Sequence, residues 1–363
     1  MILFRKRMTK DNLSFYERKI RGHSIAIIGI PIELGSDERG LAEAPHYLLN
    51  NGLETVIRKL GNKVSSLQMI SCPKPAHMEV SGTTKYLKEI AKVARVSSEV
   101  VAKALGRGDV VVALGGDHSA AIGTIATVAA TAMKKIGVIY IDAHPDINTP
   151  DTTITGNIHG MTAAAVMGFG HPLLLDVGDR AKKIAPENFL YIGLKDMDQK
   201  EIEVIRERSI STITMLDIAA HGLAPTIVAI DDLRRRVDTI WISMDMDSID
   251  KEYAPGVGMA VSGGLTRREV LGLAQYIGKT CTLTGFDIVE MSPHKDTEGK
   301  TARLALELIA RFLGTEYSWY QNEYIDVYRE TNVTKMNNGR TNRRSVKRVR
   351  VSRKTTHGRA QVG

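Results

Sequence analysis

The stretch "GVIYIDAHPDIN" (residues 137–148) decides the fold class, because an apolar, β-branched run passes directly into charged residues. The run "GVIYI" is apolar on both faces, which is typical of a strand buried inside a parallel sheet. Asp142, His144 and Asp146 follow it at a spacing of two, so in extended chain their side chains point the same way. Charged groups near a core are costly unless something pairs with them. The stretch therefore predicts a buried strand that ends in a charged site.

Seven further short runs of apolar and β-branched residues recur along the chain. They are "SIAIIGI" (24–30), "KVSSL" (63–67), "DVVVAL" (109–114), "NFLYIGL" (188–194), "SISTITML" (209–216), "TIWISMD" (239–245) and "LTGFDIV" (283–289). Between the runs lie longer amphipathic segments, such as residues 86–105, 198–208 and 224–236, which predict helices. This alternation predicts one α/β domain whose eight strands form a mostly parallel sheet with helices on both faces.

The charge of the chain is distributed unevenly. The 363 residues carry a formal net charge of +8, yet residues 331–363 contain ten Lys or Arg and no Asp or Glu. The rest of the chain has 39 basic and 41 acidic residues and is close to neutral. We interpret residues 1–22 as a basic N-terminal extension, 23–330 as a single α/β domain and 331–363 as a basic, disordered tail. Nucleic-acid binding by the tail is the alternative to a solvated extension, but the tail has no aromatic residue to stack on bases.

Cysteine usage and hydropathy bear on the compartment. The two cysteines, Cys72 and Cys281, lie far apart in the chain, which fits a reducing environment better than a disulfide framework. No apolar run approaches the roughly 20 residues that span a bilayer. We therefore expect a cytoplasmic protein without a membrane partner. The basic, acid-poor N-terminus leaves a mitochondrial presequence as the alternative.

Two other strand runs also end in charged residues. "DVVVAL" leads into "GGDHS", which contains His118, and "TIWIS" leads into "MDMDSID", where Asp245 and Asp247 share one face. Because the carboxyl ends of parallel strands meet at one edge of a sheet, we expect these groups to converge on the first set. Four ionised carboxylates repel one another, so two divalent cations are the expected neutralising charge. The predicted metal ligands are His118, Asp142, His144, Asp146, Asp245 and Asp247.

The ligand types bear on the kind of metal. Oxygen and imidazole ligands without a thiolate favour manganese, or a similar first-row ion, over a structural zinc. Each motif by itself is also compatible with a solvated loop or with turn caps. Their coincidence at three strand ends favours the metal site.

The motifs "GGDHS", "DAHPDIN", "GNIHG" and "SMDMDSID" resemble the signature motifs of the arginase/ureohydrolase family. The resemblance extends from about residue 25 to residue 313. It implies a three-layer α/β fold with an eight-stranded parallel sheet, two Mn²⁺ per subunit held by the six ligands, and a homotrimer. It also implies an enzyme that hydrolyses C–N bonds in linear amidines. The expected reaction is the conversion of L-arginine to L-ornithine and urea by a hydroxide that bridges the two ions, as in arginine metabolism and the urea cycle.

The substrate-facing residues are implied by the resemblance. Matched to the family, Asn148 and Thr155 contact the α-carboxylate of the substrate, and Asp198 contacts its α-amino group. Such a set favours an amino acid over agmatine, which has no carboxylate and would leave the donors unpaired. The alternative interpretation is that Asn148 and Asp198 only cap loops.

The catalytic residues are likewise implied by the resemblance. His159 corresponds to a proton shuttle at the mouth of the cleft, a role that suits a group titrating near neutrality. Glu290 corresponds to the residue that binds the guanidinium, whose planar fork matches a carboxylate. Asp146 is expected to stabilise the tetrahedral intermediate together with the metals. The alternative for Glu290 is a bond to a local backbone group.

The segment "APGVGMAVSGG" departs from the family pattern. Met259 and Ala260 stand where the family usually has a Thr-Pro pair, and the threonine normally supports the guanidinium-binding glutamate. A thioether is a poor substitute for that hydroxyl. The departure leaves open a weakly active relative, or a preference for another guanidino substrate such as a guanidino acid or agmatine.

Overall fold

The computed structural model of the protein describes residues 22–75, 82–131 and 134–314. The predicted N-terminal extension, apart from Gly22, and the predicted tail at 331–363 lie outside the described residues. The predicted end of the catalytic domain at residue 330 also lies outside them, so these boundaries stay predictions. No helix in the described part of the chain is long and apolar enough to cross a bilayer.

One sheet of eight parallel strands runs through the described residues. All eight predicted runs form strands, in the spatial order β2-β1-β3-β8-β7-β4-β5-β6, and every neighbouring pair is parallel. The strands are β1 Ser24–Ile30, β2 Lys63–Met69, β3 Val110–Gly115, β4 Ile136–Ile141, β5 Phe189–Leu194, β6 Ser211–Thr214, β7 Thr239–Asp245 and β8 Leu283–Val289. The predicted fold class is confirmed.

Helices cover both faces of the sheet in the described residues. They are α1 Ala44–Asn50, α2 Leu53–Lys59, α3 Leu87–Gly106, α4 Ala120–Thr131, α5 Thr162–Met167, α6 Pro172–Leu175, α7 Gln199–Glu207, α8 Met215–His221, α9 Ala224–Arg236, α10 Arg267–Thr280 and α11 Lys300–Phe312. Helices α3 to α7 pack on one face, and α1, α2 and α8 to α11 pack on the other. The result is the predicted three-layer arrangement.

Alternation along the strands divides the core into two layers. In β1, Ala26 and Ile28 pack into the layer beneath α3 and α4, whereas Ile25 and Ile27 pack into the opposite layer. Both layers are buried, because helices cover the six inner strands on both sides, whereas the edge strands β2 and β6 are partly exposed. The inner runs are therefore mainly apolar, and the charged groups of the predicted site follow where these strands end.

The four central strands β3, β8, β7 and β4 are neighbours in the sheet, although they are far apart in sequence. Their carboxyl ends therefore open at one edge of the sheet, side by side. β3, β4 and β7 lead into the motifs "GGDHS", "DAHPDIN" and "SMDMDSID", and β8 leads directly into Glu290. The strand order thus assembles one site from segments more than 100 residues apart.

Candidate active site

The first group of the site surrounds the imidazole of His118, which is fully buried. Its Nδ1 atom lies 3.0 Å from a carboxylate oxygen of Asp142 and 3.0 Å from one of Asp245. Asp146 brings a third carboxylate oxygen to 3.1 Å from the same nitrogen. His118, Asp142 and Asp245 thus form a cluster able to hold a metal ion.

The second group is centred on His144. Its Nδ1 atom lies 3.2 Å from Asp247 Oδ2 and 3.6 Å from Asp142 Oδ1. His144, Asp142 and Asp247 form a second cluster with metal-binding geometry. Asp142 belongs to both clusters, one oxygen facing each. A metal ion in either cluster would therefore lie within reach of Asp142.

Local backbone bonds orient these carboxylates. The backbone N–H of His144 donates to Asp142 Oδ1 at 2.7 Å, and the N–H of Asp247 donates to Asp245 Oδ1 at 2.7 Å. The spacing of two residues, which puts alternate side chains on one face, makes both bonds local. The carboxylates are therefore held in place by the chain that carries them.

The unpaired atoms of the site fit a cationic occupant. Among the described residues, the buried atoms without a hydrogen-bond partner include Asp247 Oδ1 and His144 Nε2. Buried polar atoms are almost always satisfied, so these two atoms in one site point to an ion. The donor set of carboxylates and imidazoles, with no thiolate, suits a hard or borderline divalent cation such as Mn²⁺.

The electrostatics of the site support the same conclusion. Burial and the charges of Asp247 and Asp142 raise the pKa of Asp245 well above its ordinary value. Burial lowers the pKa of His118, but bonding to the surrounding carboxylates outweighs it and raises that pKa well above the usual range. The cluster thus carries an excess of negative charge that protons relieve when no ion is bound. Divalent cations would relieve the same repulsion.

Two site residues have backbone conformations that side chains rarely adopt. Asp146 has a φ of 51° and Glu290 a φ of 62°, both in the left-handed region. Each such residue costs on the order of 1 kcal/mol, and such residues cluster at functional sites. The conformation of Glu290 is supported by its N–H, which donates to the Gly116 carbonyl at 2.7 Å. The chain therefore tolerates strain at two of the residues that sequence analysis selected.

His159 and Glu290 form an ion pair beside the metal-ligand clusters. His159 Nδ1 lies 3.0 Å from Glu290 Oε1, and the same oxygen accepts the backbone N–H of His118 at 2.8 Å. Burial lowers the pKa of His159, but the hydrogen bond and charge of Glu290 raise it to about 9. The pair joins the predicted proton shuttle to the predicted guanidinium ligand.

A cavity of about 210 Å³ opens over these groups. Its lining includes Asn148, His159, Asp198, Met259 and Glu290, together with four of the predicted metal ligands. A larger cavity, of about 590 Å³, lies elsewhere and contains none of the predicted site residues. The smaller cavity is the one that brings the predicted chemistry together.

Asn148 and Asp198 are bonded to each other at the wall of the cavity. Asn148 Nδ2 donates to Asp198 Oδ2 at 2.8 Å, while Asp198 Oδ1 accepts the backbone N–H of Glu201 at 2.9 Å. Asp198 is thus the N-cap of α7 in a capping box with Glu201. The capping role considered as an alternative is real for Asp198, and its other oxygen still faces the cavity wall.

Thr155 and Met259 differ in their relation to the cavity. Thr155 is exposed, is not among the lining residues, and its hydroxyl accepts the backbone N–H of Asn157 at 3.2 Å. Met259 lines the cavity and is 46% exposed. The residue that departs from the family pattern therefore faces the site, whereas Thr155 lies outside the cavity lining.

Sequence analysis missed several polar groups that support the site. Tyr140 donates its hydroxyl to Asp146 Oδ2 at 2.8 Å, and its ring stacks on His118 at a centroid distance of 4.5 Å. Glu201 lines the cavity, and its pKa rises to about 7, chiefly through burial. Glu201 stands three residues after Asp198, a spacing that signals a capping box. Tyr140 carried no signal, because it lies within an apolar run.

Comparison with known proteins identifies the family. The model of the "Arginase family" matches residues 23–314. An arginase of Brevibacillus brevis is 36% identical over 292 residues, covering 80% of this chain and 98% of that protein. The chain belongs to the arginase family. This confirms the resemblance in the sequence motifs and places the protein among metal-dependent hydrolases that act on C–N bonds.

Solved structures of the arginase family have the same fold. The native arginase of Bacillus caldovelox superposes with a TM-score of 0.78 at 35% identity, covering 82% of this chain and 100% of that one. The Entamoeba histolytica arginase in complex with L-ornithine gives a TM-score of 0.75 at 30% identity, covering 81% of this chain and 99% of the other. Family membership therefore rests on sequence and on fold.

Proposed function

We propose that the protein is an arginase, which hydrolyses L-arginine to L-ornithine and urea with two Mn²⁺ ions. The observation that carries this proposal is the pair of clusters that share Asp142 directly beneath a cavity lined by Asn148, Asp198 and Glu290. One ion would be held by the cluster at His118 and the other by the cluster at His144. When bound, the two ions would supply an activated water at neutral pH and a positive field at the reacting carbon.

Glu290 is the group that would bind the guanidinium. One of its oxygens, Oε1, accepts bonds from His159 and from the His118 backbone. Its other oxygen, Oε2, faces Gly258, where a Cβ would come within 3.1 Å of it. The absence of a side chain at Gly258 leaves room beside this oxygen. A guanidinium would meet a carboxylate there that is already fixed in orientation, which is what productive alignment requires.

The head of the substrate would be recognised by Asn148 and Asp198. An amide nitrogen has two N–H donors, and the mutual bond uses one of them. The second N–H can donate to an α-carboxylate, while the Asp198 carboxylate can accept from an α-ammonium group. The two residues thus offer a donor and an acceptor next to each other. This matches a zwitterionic amino acid and fits agmatine poorly, because agmatine has no carboxylate.

His159 would move protons at the mouth of the cavity. Its ring is held by Glu290 at Nδ1, and 23% of its side chain is exposed. A partly exposed imidazole can exchange protons with solvent and deliver one to a leaving amine. Binding of a cationic guanidinium at Glu290 would compete with the charge of a protonated His159, favouring the neutral ring when substrate is present.

A second candidate, hydrolysis of a guanidino acid other than arginine, rests on Met259. This thioether lines the cavity and offers no hydroxyl to orient Glu290. Without such a hydroxyl at Oε2, Glu290 is oriented through Oε1, and the less restricted Oε2 would broaden the range of guanidino compounds that react. The head-group residues are compatible with a guanidino acid, because it too carries a carboxylate.

The test is urea release by the Mn²⁺-loaded protein from L-arginine, agmatine and guanidino acids, each assayed separately. We expect urea from L-arginine far above the others, and none from a variant carrying both Asp142→Ala and Asp245→Ala. Urea from a guanidino acid but not from L-arginine would replace the first candidate with the second. No urea from any of them, with two ions bound, would refute both.

A further inference from the structure

Behind His118, on the side away from the clustered carboxylates, lies a chain of buried hydrogen bonds. His118 Nε2 lies 2.9 Å from the hydroxyl of Ser243, and that hydroxyl lies 2.5 Å from Asp287 Oδ1. All three residues are buried, with at most 1% of their surface exposed. Neither Ser243 nor Asp287 lines the cavity. Their hydrogen bonds therefore reach the site through His118.

The far end of this chain is anchored by two further donors. Asp287 Oδ2 accepts the indole N–H of Trp241 at 2.6 Å and faces the hydroxyl of Thr124 at 3.2 Å. Burial raises the pKa of Asp287, and these donors together with Ser243 oppose that shift. The indole N–H can only donate, so Asp287 Oδ2 must accept. The carboxylate is thereby oriented with Oδ1 toward Ser243.

The register of the sheet builds this arrangement. Ser243 of β7 is paired directly with Asp287 of β8, and Trp241 is paired with Gly285. A Cβ at Gly285 would lie 2.6 Å from the ring of Trp241, so the indole fits only because that position is glycine. Ser243 also lies two residues before Asp245, on the same face of β7. One strand therefore carries both a group behind His118 and a group in front of it.

The direction of the bonds decides which nitrogen of His118 carries its proton. A hydroxyl has one proton; if Ser243 donates it to Asp287, its oxygen must accept the proton from His118 Nε2. The Nδ1 lone pair then points toward Asp142 and Asp245. A lone pair facing carboxylates is unfavourable unless a cation lies between them, so this tautomer suits a metal-loaded site.

We propose that Ser243 and Asp287 are positioning residues, which fix the tautomer and the ring orientation of His118 so that its Nδ1 ligates the first metal ion. The proposal rests on the two-ion site proposed above. Outer partners of metal-bound histidines commonly act in this way, and their loss typically weakens metal binding roughly 10- to 100-fold. Stacking on Tyr140 holds the plane of the same ring, and the Ser243 bond holds its rotation within that plane.

Substitutions at Ser243 and Asp287 change the hydrogen bonds behind His118 in different ways. Ser243→Ala removes the acceptor at His118 Nε2. Asp287→Asn keeps the shape, but its amide can donate to Ser243, which would then donate to Nε2 and leave the proton on Nδ1. The effect resembles the loss of the correct tautomer when the aspartate of a catalytic triad becomes asparagine. Both variants should therefore lower the affinity for the ion at His118 and leave the affinity for the ion at His144 unchanged.

The experiment titrates Mn²⁺ into the full-length, metal-free protein and measures the free ion by its solution EPR signal. We expect two bound ions in the unsubstituted chain and a roughly 10- to 100-fold weaker affinity for one of them in Ser243→Ala and Asp287→Asn. Ser243→Thr, which keeps the hydroxyl, should restore most of the affinity. Ser97→Ala is the matched control, because it removes a buried hydroxyl that donates to the Ala94 carbonyl of α3 rather than to His118, Ser243 or Asp287.

Thermal unfolding of each metal-free variant separates lost positioning from lost folding. The proposal requires the affinity change in Asp287→Asn while the metal-free protein still unfolds cooperatively. Two ions bound with unchanged affinity in both variants would overturn the proposal and leave the proposed function intact. A failure of the unsubstituted chain to bind two ions would overturn the two-ion site itself. An equal loss of Mn²⁺ affinity in Ser97→Ala would show a general packing effect and would also overturn the proposal.

Discussion

The ion pair of His159 and Glu290 makes a quantitative prediction for the metal-free protein. The nitrogen and oxygen of the pair are 3.0 Å apart, and the pair raises the pKa of His159 to about 9. Glu290→Gln removes the charge and keeps the size of the side chain. We expect the pKa of His159 to fall toward its ordinary value of about 6.5. A fall of two or more units in the pKa of His159 corresponds to roughly 3 kcal/mol of interaction between the two charges.

The sign of the effect on stability follows from linkage. The pKa of His159 is higher in the folded protein than in the unfolded chain, so protonation favours folding. The stabilisation from the pair is therefore complete below about pH 6.5 and is lost as the pH rises through about 9. The unsubstituted chain should exceed Glu290→Gln in free energy of unfolding by the largest margin near pH 6. The margin should shrink steadily between pH 6.5 and 9.

Two measurements check this prediction on metal-free protein. An NMR titration of the His159 ring gives its pKa directly, and urea unfolding at a series of pH values gives the margin in stability. Glu201→Gln is the control, because Glu201 lines the same cavity but is not among the main groups that shift the pKa of His159. An unchanged His159 pKa in Glu290→Gln, or an equal fall in Glu201→Gln, would refute the reasoning.

Three further substitutions have expected outcomes. Asp142→Ala should abolish binding of both Mn²⁺ ions, whereas Asp247→Ala should leave one ion bound, because only Asp142 belongs to both clusters. Metal analysis after dialysis would count the bound ions, and equal counts in the two variants would contradict the shared ligand. Asp198→Ala should lower the free energy of unfolding by about 1 kcal/mol, because the helix cap is lost. It should also raise the KM for L-arginine more than it lowers kcat, and an unchanged KM would show that Asp198 does not bind the substrate. Gly116→Ala should destabilise the fold by about 3 kcal/mol or more, because its Cβ would collide with the Ile32 carbonyl. Chemical unfolding would measure the change in the free energy of unfolding, and a clearly smaller change would contradict the prediction.

The fold could be read from the sequence because its strongest signals are local. Inner strands such as β3, β4 and β5 are short apolar runs, because both of their faces are buried. The ligand groups follow their strands at a spacing of two, so Asp142 and His144 were predictable as a pair. Their convergence with His118 and Asp247 followed from the rule that ligand sites lie at the carboxyl ends of parallel strands.

The supporting groups could not be found in this way. Asp287 lies inside the apolar run of β8, and nothing local indicates that it meets Ser243 across a strand pair of particular register. Tyr140 was hidden for the same reason, since its partner Asp146 sits beyond the end of β4. Thr155 was selected by resemblance, but the path of its loop, which leaves it exposed, depends on tertiary contacts. Contacts between strands and the course of loops are long-range properties that spacing does not encode.

The central claim, that the site holds two ions bridged by Asp142, is tested most directly by a crystal structure of the Mn²⁺-loaded protein with anomalous scattering at the manganese edge. The account predicts two anomalous peaks, roughly 3.5–4 Å apart. One should be ligated by His118 and Asp245, the other by His144 and Asp247, with Asp142 contacting both. A single peak, or two peaks that do not share Asp142, would contradict it.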